Sequence, residues 1–102
     1  MPDTITIGKN ITIISDGSIS DFNVATYFPG EILLAAVKLE GAAADHVCIR
    51  NGSATGEIIS RFADTTGDGV KDTFRPPKWC KPYLVAAESS VTNTGVVILE
   101  LA

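Results

Sequence analysis

The feature that most limits what this chain can fold into is a series of short alternating apolar segments. They recur about every ten residues and end in turn residues. A period of two sends successive side chains to opposite faces, so each segment reads as a strand with one face reserved for a core. The central instance runs from His46 to Phe62. Val47 and Ile49 alternate with more polar neighbours, and Asn51, Gly52, Ser53 and Gly56 supply a polar loop, which predicts a hairpin.

The opening of the chain keeps one parity, with Ile5, Ile7, Lys9, Ile11 and Ile13 on odd positions and Thr4, Thr6 and Thr12 on the other face. That phase fits either one long strand with a weak centre or a tight hairpin at Gly8-Lys9-Asn10. An apolar face on a terminal strand needs cover, from its own sheet or from another subunit. Ile5, Ile7, Ile11 and Ile13 are therefore candidate partner-contacting residues, on an N-terminal strand or arm over 1–15.

Farther along, Asp16-Gly17-Ser18 marks a turn, and Phe22, Val24 and Phe28 share a face of a further strand before Pro29-Gly30. Residues 31–41 satisfy two patterns. Leu33, Ala35, Val37 and Leu39 alternate as in a strand, while Ile32, Ala36, Leu39 and Glu40 fit a helix that Gly41 would cap. Short β signals on both sides favour a buried strand. Ala63 to Asp72 is a loop by composition, followed by Thr73 to Arg75 and by Pro76-Pro77, through which a regular ladder cannot continue. Trp79 and Tyr83 bracket Cys80 and are expected to help close the core. Pro82 to Ala87 and Gly95 to Leu101 read as the last strands, joined by a polar turn from Ser89 to Thr94. Val96 to Leu99 is apolar on both faces, as in a strand covered on both sides.

The sum is an all-β chain, a single-domain β-sandwich or small barrel of seven or eight short antiparallel strands over 1–102. The alternative is an α+β fold with a helix near 31–41. A chain of 102 residues can bury roughly two-thirds of the surface its unfolded form exposes, so a core needs no metal or disulfide framework. Its 45% hydrophobic and 20% charged residues argue against disorder. A net charge of −4 disfavours nucleic acid and anionic membranes as partners, and no apolar run is long enough to span a bilayer. The Met-Pro-Asp-Thr start resembles no export signal. Cys48 and Cys80 are accordingly expected as buried reduced thiols, and the acceptor patterns Asn10-Ile11-Thr12 and Asn51-Gly52-Ser53 carry no weight as glycosylation sites.

Candidate chemistry is sparse. Asp64, Thr66 and Asp68 occupy the first, third and fifth positions of a calcium loop, Gly69 the turn position, Val70 a carbonyl position and Asp72 the ninth. Over these nine residues the loop resembles thrombospondin-type and dockerin-like repeats. Thr66 replaces an acid, and Arg75 stands where the bidentate acid belongs, so any bound calcium would be held weakly; the plainer reading is an acidic hairpin loop. Lys71, Arg75, Lys78 and Lys81 surround Trp79, but Asp68 and Asp72 share the segment and a single aromatic makes no stacking platform for nucleic acid. His46 and Cys48 lack an orienting third group, so no catalytic residue and no enzyme is expected.

The segments Arg50-Asn-Gly-Ser-Ala-Thr-Gly-Glu-Ile-Ile59, Cys80-Lys-Pro-Tyr-Leu84 and Val96-Val-Ile-Leu-Glu-Leu-Ala102 resemble small structural proteins of tailed bacteriophages. The likeness covers roughly Ala35 to Ala102 and rests on turns and strands. It implies a virion component assembled in the host cytoplasm, a head decoration or cement protein that binds the major capsid protein, with a tail or connector role as an alternative. It also implies a homo-oligomer, with a trimer preferred. A calcium-dependent carbohydrate or cell-surface binding module, using Asp64 to Asp72, is the alternative from a different class.

Overall fold

The computed structural model describes residues 3–17, 19–92 and 94–102. Among them are nine strands: β1 (Thr4–Ile7), β2 (Asn10–Ile14), β3 (Phe22–Asn23), β4 (Ile32–Glu40), β5 (Asp45–Asn51), β6 (Ile58–Asp64), β7 (Val70–Cys80), β8 (Pro82–Leu84) and β9 (Val96–Leu101). They form two antiparallel sheets, one of five strands in the order β1-β2-β9-β4-β7 and one of four in the order β3-β8-β5-β6. The fold is all-β, as the alternation predicts.

The five-stranded sheet is built outward from β9 and β4. Val97 and Leu99 sit opposite Ile13 and Ile11 on one side and Leu39 and Val37 on the other, and all six side chains are buried. From the second sheet, Val47, Ile49 and Leu84 meet this layer and complete the core. Each fully buried Val, Leu or Ile contributes about 1.5–3 kcal/mol of transfer free energy, so this contiguous layer is the main source of stability.

The ambiguous stretch 31–41 is the strand β4. Its helix propensity is overridden because it is flanked on both sides, by β9 and β7, and a ladder on each edge satisfies its backbone polar groups. A register shift between Leu34 and Ala36 moves the inward phase from Ile32 and Leu34 to Val37 and Leu39. The shift is a bulge at Ala35, which has no partner on β9 or on β7, and on the β7 side it lies beside the double proline. Opposite Leu34 stands Lys78 and opposite Ala36 stands Thr73, so residues 74–77 bulge away without β4 partners. β7 as a whole is nevertheless longer than the sequence suggests, running from Val70 to Cys80.

Three expectations need correction. The Phe22 to Phe28 segment is a two-residue strand followed by a 3₁₀ turn at Val24–Thr26, because Asn23 Oδ1 accepts the Ala25 N–H at 3.0 Å and starts the turn. The strand starting at Pro82 stops at Leu84, and Ala86–Glu88 is a second 3₁₀ turn. Trp79 does not close the core: it is 62% exposed, on the outer face of the sheet opposite Leu33. Among the described residues no helix is long and apolar enough to cross a membrane.

Candidate functional site

Two features stand out once the strands are placed: a loop cluster at one end of the sandwich, and the free edge of β1. The loop cluster is organised by two buried aspartates, Asp45 and Asp64, which face each other in the β5–β6 register. Like charges directly opposite repel, so each carboxylate needs compensation. Asp45 Oδ2 accepts from the Ala42 and Thr92 N–H groups at 3.0 and 3.1 Å and from Thr92 Oγ1 at 3.0 Å, joining the loop before β5 to the loop before β9. Asp64 Oδ1 accepts from the Thr66 and Gly67 N–H groups at 3.2 and 2.8 Å and from Thr66 Oγ1 at 3.4 Å. Asp64 Oδ2 accepts from the Gly69 N–H at 2.9 Å.

The Asp64 loop closes because Gly67 and Gly69 take left-handed backbone, with φ of 83° and 91°, which turns their N–H groups inward. Burial pushes the Asp64 carboxyl upward in pKa. The N–H groups of Gly69, Gly67 and Thr66, together with the Thr66 hydroxyl, outweigh that and hold it below the usual carboxylate range. The three loops surround a concavity of about 430 Å³ lined by Glu40, Asp68, Thr92, Thr94 and glycine backbone.

The calcium-loop residues are distributed around this arrangement as follows. Asp64 is turned toward its own loop, and Asp68 is exposed at the tip. Thr66 Oγ1 donates to Asp64 and accepts from the Asp68 N–H. Val70 begins β7, and Asp72 accepts a 2.6 Å hydrogen bond from Ser60 Oγ on β6. Among the described residues no three His, Cys, Asp or Glu side chains are grouped so as to hold a metal ion.

The remaining candidates separate. His46 is exposed, with Nδ1 3.3 Å from the Ala44 carbonyl, while its backbone bridges to Ser90. Cys48 and Cys80 are buried free thiols. Burial raises the Cys48 thiol above its ordinary value, and Glu88 adds to the effect. Burial likewise pushes Cys80 up to about 11. Arg50 grips Glu88 through Nε at 2.7 Å and the second guanidinium arm at 3.0 Å, which lowers the Glu88 carboxyl and ties β5 to the 3₁₀ turn after β8. Of the basic residues near Trp79, Lys71 pairs with Glu100 and Lys78 with Glu57. Sequence reading missed the anchoring roles of Asp45 and Glu88, whose partners lie as many as 47 and 40 residues away.

The second feature begins with the hairpin alternative for residues 4–14. β1 and β2 pair Ile5 with Ile13 and Ile7 with Ile11. Ile11 and Ile13 are wholly buried, which corrects their assignment as partner contacts: they belong to this chain's own core. Ile5 is half-buried and Ile7 is 39% exposed. Among the described residues β1 pairs only with β2, which leaves its other edge open. Asp3 secures the strand's start by accepting the Ser20 N–H at 2.8 Å and the Asp16 N–H at 3.3 Å.

The other sheet edges are protected. β7 carries Pro76-Pro77 with Lys71, Arg75 and Lys78, β3 has two residues, and β6 bears Arg61 and is tied to β7 by Ser60 and Asp72. Strand β1, Thr-Ile-Thr-Ile, has neither charge nor proline. In comparisons with known proteins, no family model, curated protein or solved structure matches this chain.

Proposed function

We propose that this chain is a non-enzymatic structural subunit of a tailed-bacteriophage virion, decorating or cementing the head shell by adding its β1 edge to neighbouring subunits. The observation that supports this reading most is the β1 edge, four uncharged, proline-free residues on a sandwich whose other edges are short, charged or broken by proline. Main-chain hydrogen bonds along such an edge give affinity, and the alternate side chains Ile5 and Ile7 give specificity. Many weak copies on a shell add up to tight attachment. The sequence resemblance over Ala35 to Ala102 points to the same role.

The test is co-sedimentation with assembled head shells of wild-type protein and of Ile7→Lys, whose new charge lies on the exposed part of β1. Binding that Ile7→Lys abolishes is the expected result. Equal recovery of both with the shells would remove β1 from the role, and no recovery of either would remove the role.

The second reading, a calcium-dependent carbohydrate-binding module, draws on the polar concavity beside Asp68. It requires the melting temperature to rise in millimolar calcium relative to chelator. An unchanged melting temperature sinks it.

A further inference from the structure

The edge of β1 is self-complementary, and we infer that its partner is β1 of a second copy of this chain, antiparallel about a two-fold axis through Thr6. This rests on the virion reading only in taking β1 as the assembling edge, and it names what sits there.

Register selects the pairing. Two identical antiparallel strands pair residues whose numbers have a constant sum, and side chains directly opposite share a face. Any odd sum sets isoleucine against threonine and puts half of the apolar side chains on the wrong face. Among even sums, the register centred on Thr6 places Ile5 opposite Ile7 of the second copy, Ile7 opposite Ile5, and Thr6 opposite itself.

In that register the turn after β1, which holds Lys9, comes alongside the start of the second copy's β1, where Asp3 lies, so opposite charges flank the uncharged strand at both ends. Lys9 is exposed and has no ion-pair partner within its own chain among the described residues. Centring on Ile7 or on Ile5 instead moves the turn that holds Lys9 away from the second copy's Asp3. Both shifts separate the opposite charges.

The product is a continuous ten-stranded sheet in which the exposed Ile7 is covered and the unprotected edge disappears. An isologous contact of this kind closes at two copies. Only a few residues per copy contribute, so the area lies below the roughly 1,000 Å² of a permanent interface and the dimer is a weak one.

The experiment is sedimentation equilibrium of wild-type protein from about 10 μM to about 1 mM, with cysteine crosslinking to read the register. Wild-type protein is expected to move from one to two chain masses across that range. Thr6→Lys, exposed and on the axis, sets like charges face to face and should shift dissociation at least about tenfold upward, with an unchanged melting temperature showing that the fold is intact. Under mild oxidation Thr6→Cys should form a covalent dimer and Thr4→Cys, opposite Gly8, should not; the native thiols are buried.

A wild-type protein that stays monomeric at the highest concentration overturns the inference. So does a trimer, or crosslinking of Thr4→Cys equal to that of Thr6→Cys. Shell binding by a strictly monomeric protein overturns it while leaving the virion reading in place. A protein that dimerises through Thr6 and whose reduced, monomeric form is not recovered with assembled shells supports it and removes the virion reading.

Discussion

At the residue scale, the most consequential side chains are polar and buried. Asp64 closes its loop by collecting three N–H groups and a hydroxyl, and asparagine at this position would offer one acceptor oxygen where two are used. Asp64→Asn should lower the melting temperature by roughly 5–15 °C, measured by circular dichroism.

The pH dependence follows from the same geometry. Asp64 and Glu88 have folded values below their ordinary ones, so they add stability above the usual carboxylate range and lose it as pH falls through the folded values. Cys48 and Cys80 are raised, so their contribution is complete below the unfolded thiol value of 9.0 and declines above it, ending near 11 for Cys80. Urea midpoints should therefore hold between about pH 5 and about pH 8 and fall on either side. In the native protein at neutral pH neither thiol should react with a thiol-specific reagent, and both should react once urea unfolds it. Trp79 offers a further check, since its exposure predicts native fluorescence already close to that of the unfolded chain.

At the scale of elements, the N-terminal hairpin divides into two strands with different duties. β2 supplies Ile11 and Ile13 to the core and covers one edge of β9, whereas β1 adds a half-buried Ile5 and a free edge. Deleting residues 1–8 should leave a cooperative fold with a lower midpoint. Deleting residues 1–15 should leave an unfolded chain, because β9 loses its neighbour and the core loses two isoleucines. Urea titration of the two truncations checks this, and equal folding of both would contradict the division. The β4–β7 pairing shows how an element can be right in type and wrong in extent. Pro76-Pro77 interrupts the ladder as its chemistry demands, yet the strand resumes at Lys78 because the partner strand β4 continues past the bulge.

At the scale of the whole molecule, the two sheets share one core, and β9 is its most central element in the larger sheet, between β2 and β4. Leu99→Ala removes a side chain with no exposure that packs within this layer, and should cost about 2–5 kcal/mol in a single unfolding transition. The outer face of the same strand carries Val96 and Ile98, half-buried beside Ile14. Sequence reading expects cover on both faces of this strand. Within one chain the sandwich covers only the face bearing Val97 and Leu99.

Local pattern alone determined that the chain is built mainly of β-strands, where its central hairpin lies, and that the prolines break a ladder. These follow from side-chain period and backbone chemistry, which act over a few residues. Only the tertiary structure decided that residues 31–41 are a central strand, that Ile11 and Ile13 belong to the core while Ile7 does not, that Trp79 faces outward, and that Asp45 and Asp64 stand opposite each other. Each of these depends on which distant strand lies alongside, as β2 lies beside β9 and β5 beside β6. Alternation says that a strand has two faces, and only its neighbours determine which face is buried and which edge stays open.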